Sequence, residues 1–418
     1  MIAIAIFSIT YMLIMTEKLH RTVVALFGAV LMLVFSVEAQ EQAANHIDTN
    51  TIGLLIGMMI IVSIIRRTGI FEYLAIHAAK LAGGDPWKIM LLFSLITAVS
   101  SALLDNVTTI LLIVPVTMVI TSTMEINPIP FVVVETLMSN IGGTATLIGD
   151  PPNIMIGSAV GLGFMDFVWN LAPIVLVIIV VNLLILKFLY RKTLQASDEQ
   201  KKRVMDLDES LAIHDIVLLK KGGLVMGLTL LGFILHSSLG YESATVALFG
   251  ASLYLLISKL DPEEILLEIE WTTIFFFASL FILVGALEDV GVIEMLAGGM
   301  VQMTAGDVGL STTVILFGSS IASAFLDNIP FVATMIPLLQ DFGLQTGQNI
   351  SVLWWALALG ACLGGNGTLV GASANVIAAG IVEKQGHKLS FKEFFMVGFP
   401  LMLVSVTIAY GYVAIRYL

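Results

Sequence analysis

The sequence specifies an all-α polytopic membrane protein made of two inverted repeats, each with five transmembrane helices plus one re-entrant helical hairpin. Three observations carry this reading. Of 418 residues, 58% are hydrophobic and 12% charged, against about 45–50% and about 25% in soluble domains. A single spacing of 222 residues relates matching motifs in the two halves. The basic residues also gather on one side of the membrane once the halves are inverted. The mean hydropathy of +1.00 excludes a soluble enzyme, a disordered chain and a nucleic-acid binder. The lone cysteine, Cys362, excludes a disulfide framework and a Cys-rich metal site.

A spanning helix needs about 20 mostly apolar residues. Residues 1–16 and 22–37 give the first two spans, separated by the charged turn Glu17-Lys18-Leu19-His20-Arg21. The first apolar run begins at Met1 without a basic region or a following small-residue cleavage site, so no cleavable signal peptide is expected. A third span, 51–65, stops at Arg66-Arg67, and the moderately apolar 69–83 reads as a surface-lying connector. The stretch 88–121 is interrupted at Asp105-Asn106 and reads as a hairpin. The stretch 129–160 is a broken helix, interrupted at Gly142-Gly143 and from Gly149 to Asn153. A clean span over 167–189 completes an N-terminal repeat, residues 1–190. The polar segment 191–221, with Arg191, Lys192, Lys201, Lys202, Arg203, Lys220 and Lys221, reads as an exposed cytoplasmic linker. The C-terminal repeat, 222–418, restates the order. Spans fall at 222–238, 244–258 and 272–287, then a connector at 291–304, a hairpin at 310–339, a broken helix at 351–381 and a span at 394–415.

The repetition is literal in places. Val24-Ala-Leu-Phe-Gly-Ala29 returns as Val246-Ala-Leu-Phe-Gly-Ala251, Leu104-Asp105-Asn106 as Leu326-Asp327-Asn328, and Asn153 as Asn375. Gly142-Gly143-Thr144-Ala145-Thr146-Leu147-Ile148-Gly149 returns as Gly364-Gly365-Asn366-Gly367-Thr368-Leu369-Val370-Gly371. One constant offset without a gap marks internal duplication. If each hairpin enters and leaves on one side, each half has five crossings, and the second half is inverted. With both termini outside, 18 of the 19 basic residues then lie inside, leaving Arg416 outside. Parallel halves would place the eight basic residues from Lys187 to Lys221 opposite Arg66, Arg67, Lys80 and Lys88.

Non-helical backbone at membrane depth is tolerated only where protein buries it or it lines a wet cavity. The chain places such breaks at the two hairpin tips, Asp105-Asn106-Val107-Thr108 and Asp327-Asn328-Ile329-Pro330, and at 142–153 and 364–375. Asp, Asn and Thr cap helices, so each tip can start a half-helix whose amide end attracts an anion or an oxygen-rich solute. The candidate solute and ion ligands are Asp105, Asn106, Thr108, Thr144, Thr146, Gly149 and Asn153, with Asp327, Asn328, Asn366, Gly367, Thr368 and Asn375. Sodium could sit at the Asn106 and Asn328 tips; no other metal and no cofactor is expected. The competing reading makes Asp105 and Asp327 helix caps only. Glu135 and Asp150 correspond to Leu357 and Ala372, so a carboxylate on one side alone makes each a coupling candidate. Asp150 precedes two prolines, and a turn-capping role competes there. No P-loop and no H-E-x-x-H motif occurs. The six histidines are scattered and mostly near span ends, and Cys362 reads as a small packing group.

The strings Leu104-Asp-Asn-Val-Thr-Thr109, Asn140-Ile-Gly-Gly-Thr-Ala-Thr-Leu-Ile-Gly-Asp-Pro-Pro-Asn153, Leu326-Asp-Asn-Ile-Pro-Phe331 and Gly360-Ala-Cys-Leu-Gly-Gly-Asn-Gly-Thr-Leu-Val-Gly-Ala-Ser-Ala-Asn375 resemble the ion transporter superfamily. The resemblance is to the branch that joins arsenite permeases, sodium–proton antiporters and the melanosomal P protein, and it covers nearly the whole chain. It implies inverted repeats, a homodimer on scaffold spans 1–3 and 6–8, and elevator-like movement of the hairpins with spans 4, 5, 9 and 10. Related carboxylate carriers have Ser-Asn-Thr motifs at their tips, where this chain has Asp105-Asn106-Val107-Thr108 and Asp327-Asn328-Ile329-Pro330; the departure argues against a dicarboxylate carrier. The expected function is secondary transport, not enzymatic: efflux of a small anion or metalloid oxo-solute of the arsenite or antimonite type, with protons or sodium as coupling ion. The alternatives are a sodium–proton antiporter and the membrane subunit of an ATPase-driven arsenite pump. The expected location is a bacterial inner membrane, with the lipid bilayer and a second copy of the chain as partners.

Overall fold

The computed structural model describes residues 1–16, 18–191 and 194–418. Glu17 of the first turn and Lys192 of the linker lie outside the described residues. Among the described residues, all regular structure is helical. Helices α1 (Ile2–Met15) and α2 (Arg21–Val34) precede a short α3 (Gln40–His46). Asp48 caps α4 (Thr49–Arg66), its side chain accepting the Asn50 and Thr51 amides. Then come α5 (Ile70–Leu81), α6 (Pro86–Leu103), α7 (Asn106–Thr123), α8 (Ile129–Gly143), α9 (Pro151–Val160) and α10 (Phe164–Tyr190). The linker carries α11 (Asp198–Met205) and a 3-10 turn (Glu209–Ala212). The second half runs α12 (Ile216–Leu239), α13 (Ser243–Ser258), α14 (Pro262–Leu267), α15 (Trp271–Asp289) and α16 (Val292–Thr304). It ends with α17 (Val308–Phe325), α18 (Asn328–Thr346), α19 (Ser351–Gly364), α20 (Ser373–Lys384) and α21 (Phe391–Tyr417).

Among the described residues, eight helices are long and apolar enough to cross a bilayer: α4, α6, α7, α10, α12, α15, α17 and α21. Shorter apolar helices, such as α8 and α19, lie between them. The protein is an integral membrane protein.

The 222-residue offset reappears in the helix starts of α2 and α13, α4 and α15, α6 and α17, α7 and α18, α8 and α19, and α9 and α20. It reappears in the packing as well. Helix α2 packs on α15 as α13 packs on α4, α7 meets α20 as α18 meets α9, and α6 meets α8 as α17 meets α19. Three helices meet their own counterparts: α4 on α15, α8 on α19 and α10 on α21. These shared contacts pair the halves as the 222-residue duplication does.

Two boundaries and the exposure of the linker differ from the sequence reading. Helix α12 begins at Ile216, so the end of the expected linker 191–221 is already helical; Lys221 lies along it and reaches the Ile257 carbonyl at 2.7 Å. A lysine stem can follow an apolar helix while its ammonium finds a polar partner, which hides the span in a hydropathy reading. Helix α18 continues to Thr346, past the expected hairpin end at 339. The linker is also not free. Val204 and Ala212 are buried, and Lys80 of α5 donates to the Leu207 carbonyl at 3.1 Å. The close approach needs Gly69, whose φ is +78° and where a Cβ would stand 1.8 Å from the Ala212 carbonyl oxygen.

Candidate functional site

Helix α8 stops at Gly143 and the chain re-enters a helix at Pro151. The intervening turn folds tightly against the end of α6. A Cβ at Gly142 would stand 2.2 Å from the Ala98 carbonyl oxygen, and one at Gly149 would stand 2.5 Å from that of Ser101. Side chains then satisfy the freed backbone. Thr146 donates to the Ala102 carbonyl at 2.5 Å, and Asn153 donates to the carbonyls of Thr144 and Thr146 at 3.2 and 2.8 Å. The second half repeats these bonds: Thr368 donates to the Ala324 carbonyl at 2.5 Å, and Asn375 to the carbonyls of Gly365 and Thr368 at 2.7 and 2.8 Å. Thr144 donates to the Asn140 carbonyl at 2.8 Å. The hydroxyls of Thr146 and Thr368 therefore tie the unwound segments to the ends of α6 and α17, that of Thr144 closes the end of α8, and Gly149 and Gly367 let the segments pack closely.

The two hairpin tips are built differently. Asp105 caps α7, accepting the Thr108 amide at 2.8 Å with one oxygen and the Thr108 hydroxyl with the other. Asp327 accepts the Ile329 amide at 3.1 Å, but the position of Thr108 is held by Pro330, which has no hydroxyl to offer. Its second oxygen instead accepts from Ser373 at 2.9 Å and pairs with Arg21. Arg21 also donates to Ser373 at 2.5 Å and stacks 4.9 Å over the Phe276 ring. The capping reading therefore describes Asp105 fully, while Asp327 caps and pairs at once.

Asn106 and Asn328, the next residue of each tip, converge. The side-chain amide of each donates to the same oxygen of Asp150, at 3.3 Å in both cases. Asp150 makes no capping bond to α9, because Pro151 and Pro152 remove the first amides it could cap. Its second oxygen is buried without a hydrogen-bond partner among the described residues. Asn140 ties the halves together beneath this point: it accepts from Asn106 at 3.3 Å and donates to Asn366 and Asn375 at 2.9 Å each. Glu135 lies on α8 more than one turn from Asn140. It accepts from Thr117 at 2.6 Å and is not brought to the tips.

A cavity of about 500 Å³ leads toward this centre, walled by the turn before α2, the start of α15, the second tip and α20. Its lining includes Arg21, Glu270, Asp327, Phe331 and Ser373. At its inner end a space of about 20 Å³ reaches Asp105, Asn106, Asp150 and Asn328, which is room for about one water or small ion. Arg21, Asn140, Glu270 and Ser373 are site residues that the sequence reading did not select. Asn140 is an amide inside an apolar span, and its counterpart at the 222 offset is Cys362. The pair acts alike: Cys362 donates to Asn153 at 3.5 Å as Asn140 donates to Asn375. Arg21 had no such signal, since it read as one member of a charged turn.

Residues 11–360 match the family described as CitMHS, citrate transporter. The chain is 42% identical over 423 residues to a "46 kDa membrane protein" of Mycobacterium leprae (strain TN), covering 100% of this chain and 99% of that one. It is 44% identical over 422 residues to an uncharacterized transporter of Mycobacterium tuberculosis (strain ATCC 25618 / H37Rv), covering 100% and 98%. It is 34% identical over 500 residues to the Homo sapiens P protein, covering 100% of this chain and 60% of that protein. Among solved structures, the Alcanivorax borkumensis YdaH transporter has the same fold, with a TM-score of 0.59 at 13% identity over 89% of this chain and 86% of that one. An apolar helical chain, a centre where matched segments of both halves meet, and a family match over most of its length lead to one conclusion: this chain is a membrane transporter of the CitMHS citrate transporter family, within the ion transporter superfamily.

Proposed function

We propose that the protein is a secondary active transporter that moves a small oxo-solute by elevator-like alternating access, with Asp150 as its coupling group. The observation that carries this reading is the convergence of Asn106 and Asn328, one from each half, on one oxygen of Asp150, whose other oxygen accepts no hydrogen bond among the described residues. A buried carboxylate left half-satisfied is costly until a proton or cation joins it. Such a group can change its loading as the site moves between the two sides.

In this reading the halves are inverted repeats. Helices α6–α7 and α17–α18 are re-entrant hairpins whose tips lie at the depth of the breaks in α8–α9 and α19–α20. Helices α1, α2, α4, α12, α13 and α15 form the dimeric scaffold, α5 and α16 are arms, and the remaining long helices move. The linker and the mouth of the cavity face the cytoplasm, and the membrane is a bacterial inner membrane.

The charge around the site favours a particular solute class. Asp105, Asp150, Asp327 and Glu270 stand against one guanidinium, Arg21. A free polyanion such as citrate would meet more like charge than opposite charge there. An uncharged, hydroxyl-bearing solute of the arsenous or antimonous acid type would meet amides and carboxylates able to hydrogen-bond it. The same acid excess supports a second reading, sodium–proton antiport, in which these carboxylates exchange the two cations.

Proteoliposomes separate these readings. Arsenite flux driven by a proton gradient is expected, falling at least tenfold in Asn106→Ala and Asn328→Ala, with coupling lost in Asp150→Asn. Arsenite flux indifferent to all three substitutions would overturn the oxo-solute reading. Proton movement on a sodium pulse without arsenite flux would establish the antiporter instead. Citrate-driven flux that survives Asp150→Asn would overturn both.

A further inference from the structure

At the other end of α15, away from the cavity, three metal-ligating side chains meet. Glu38 precedes α3, His46 ends it, and Asp289 ends α15. His46 Nε2 lies 3.1 Å from a Glu38 oxygen and 3.4 Å from an Asp289 oxygen, and all three ligand atoms lie within 4.8 Å of one another. The Glu38 side chain is fully buried, and among the described residues neither of its oxygens accepts a hydrogen bond; its ion-pair partner is the His46 ring of the same cluster. A buried carboxylate without donors must be neutralised by a proton or by a cation, and the imidazole and second carboxylate beside it make a cation site. The approach of His46 is built in. Its ring lies against Gly285, where a Cβ would stand 2.3 Å from the ring.

The other half shows what this junction lacks. At the 222 offset, His46 corresponds to Glu268, Asp289 to Arg67 and Gly285 to Ser63. There the Arg67 guanidinium bridges Glu264 at 2.9 Å and Glu268 at 2.6 Å, and Ser63 donates to Glu268. The matching junction at α3 carries carboxylates and an imidazole where that one has a fixed cation. Ligands about 2.0–2.1 Å from a tetrahedral ion stand roughly 3.3 Å apart, close to the separations of 3.1 and 3.4 Å that His46 makes here.

We infer that Glu38, His46 and Asp289 form a divalent-cation site of the zinc type, which clamps α3 to the end of α15 as Arg67 clamps α14 to α4. The mixed nitrogen and oxygen donors select a first-row ion over calcium or magnesium. His46 and Asp289 are partly exposed, which leaves a coordination position for water. The site stands independently of what is transported.

The test uses the full-length, tag-free protein, stripped with chelator and titrated with zinc, cobalt, calcium and magnesium chlorides. Titration calorimetry is expected to show one zinc per chain, with at least tenfold weaker binding in His46→Ala and in Asp289→Asn. Cobalt is expected to give visible bands of a low-symmetry nitrogen–oxygen site, absent in His46→Ala. Gly285→Ala is expected to weaken zinc binding without touching a ligand. Because Glu38→Gln relieves a buried charge, it is expected to fold, and to remove both zinc binding and the zinc-dependent rise in Tm. Zinc binding equal in the parent and His46→Ala, or no zinc binding in a folded parent protein, would overturn the site.

Discussion

Thr146 and Thr368 show how much single residues decide here. Each hydroxyl ties an unwound segment to a carbonyl in the last turn of a neighbouring helix at 2.5 Å, Ala102 of α6 and Ala324 of α17, in matching positions of the two halves. Thr368→Val would leave the buried Ala324 carbonyl unpaired, at a cost of about 1–3 kcal/mol, and Thr146→Val does the same to the half-buried Ala102 carbonyl. Because the bonds match while the Thr368 bond is the more buried, both substitutions are expected to lower the Tm in detergent, Thr368→Val at least as much as Thr146→Val, as read by differential scanning fluorimetry. A loss confined to one half would mean that the matching bonds do not carry matching loads. The tips make the opposite point. Pro330 in place of Thr108 leaves one Asp327 oxygen free for Arg21. The sequence displays that difference, but nothing in it says that Arg21 takes up the freed oxygen.

Among the elements, the linker changed most between sequence and structure. Its polar composition reads as exposed, yet its 3-10 turn is docked on α5. His77 and Lys80 contact Glu209 at 3.3 and 3.2 Å. The His77 ring, and then the Lys80 ammonium, hold the Glu209 carboxyl below its usual range. A depressed carboxyl contributes stability above its unfolded value, and that contribution is lost as pH falls through its lower folded value. Hydrogen exchange of peptides covering 205–214, corrected for intrinsic rates, is therefore expected to show protection at neutral pH that fails below about pH 4. Glu209→Gln is expected to lack that protection throughout; equal protection in both would sink the docking. Helix positions, by contrast, were readable. The breaks at Asp105, Asp150 and Asp327 coincide with real helix starts, because caps and prolines act on the first turn of their own helix.

Over the whole molecule, the cavity breaks the symmetry of the halves. Val376 of α20 is 43% exposed, whereas its counterpart Ile154 of α9 is 3% exposed. Under alternating access the two exchange environments when the site moves. In inside-out vesicles, a membrane-impermeant maleimide is expected to label Val376→Cys and spare Ile154→Cys, while the native Cys362 stays buried. Opposite labelling is expected from the other side once the transporter turns over. Equal labelling of both, from either side, would overturn the one-sided state. The membrane class, the duplication and the positions of the breaks followed from the sequence alone. Hydropathy is read over about 20 contiguous residues, and an offset is read by direct comparison. Only the tertiary structure decided that Asn328 meets Asp150 across 178 residues and that Arg21 meets Asp327 across 306. A hydrogen bond needs donor and acceptor about 3 Å apart, and that distance is set by how the helices pack, not by any local pattern along the chain.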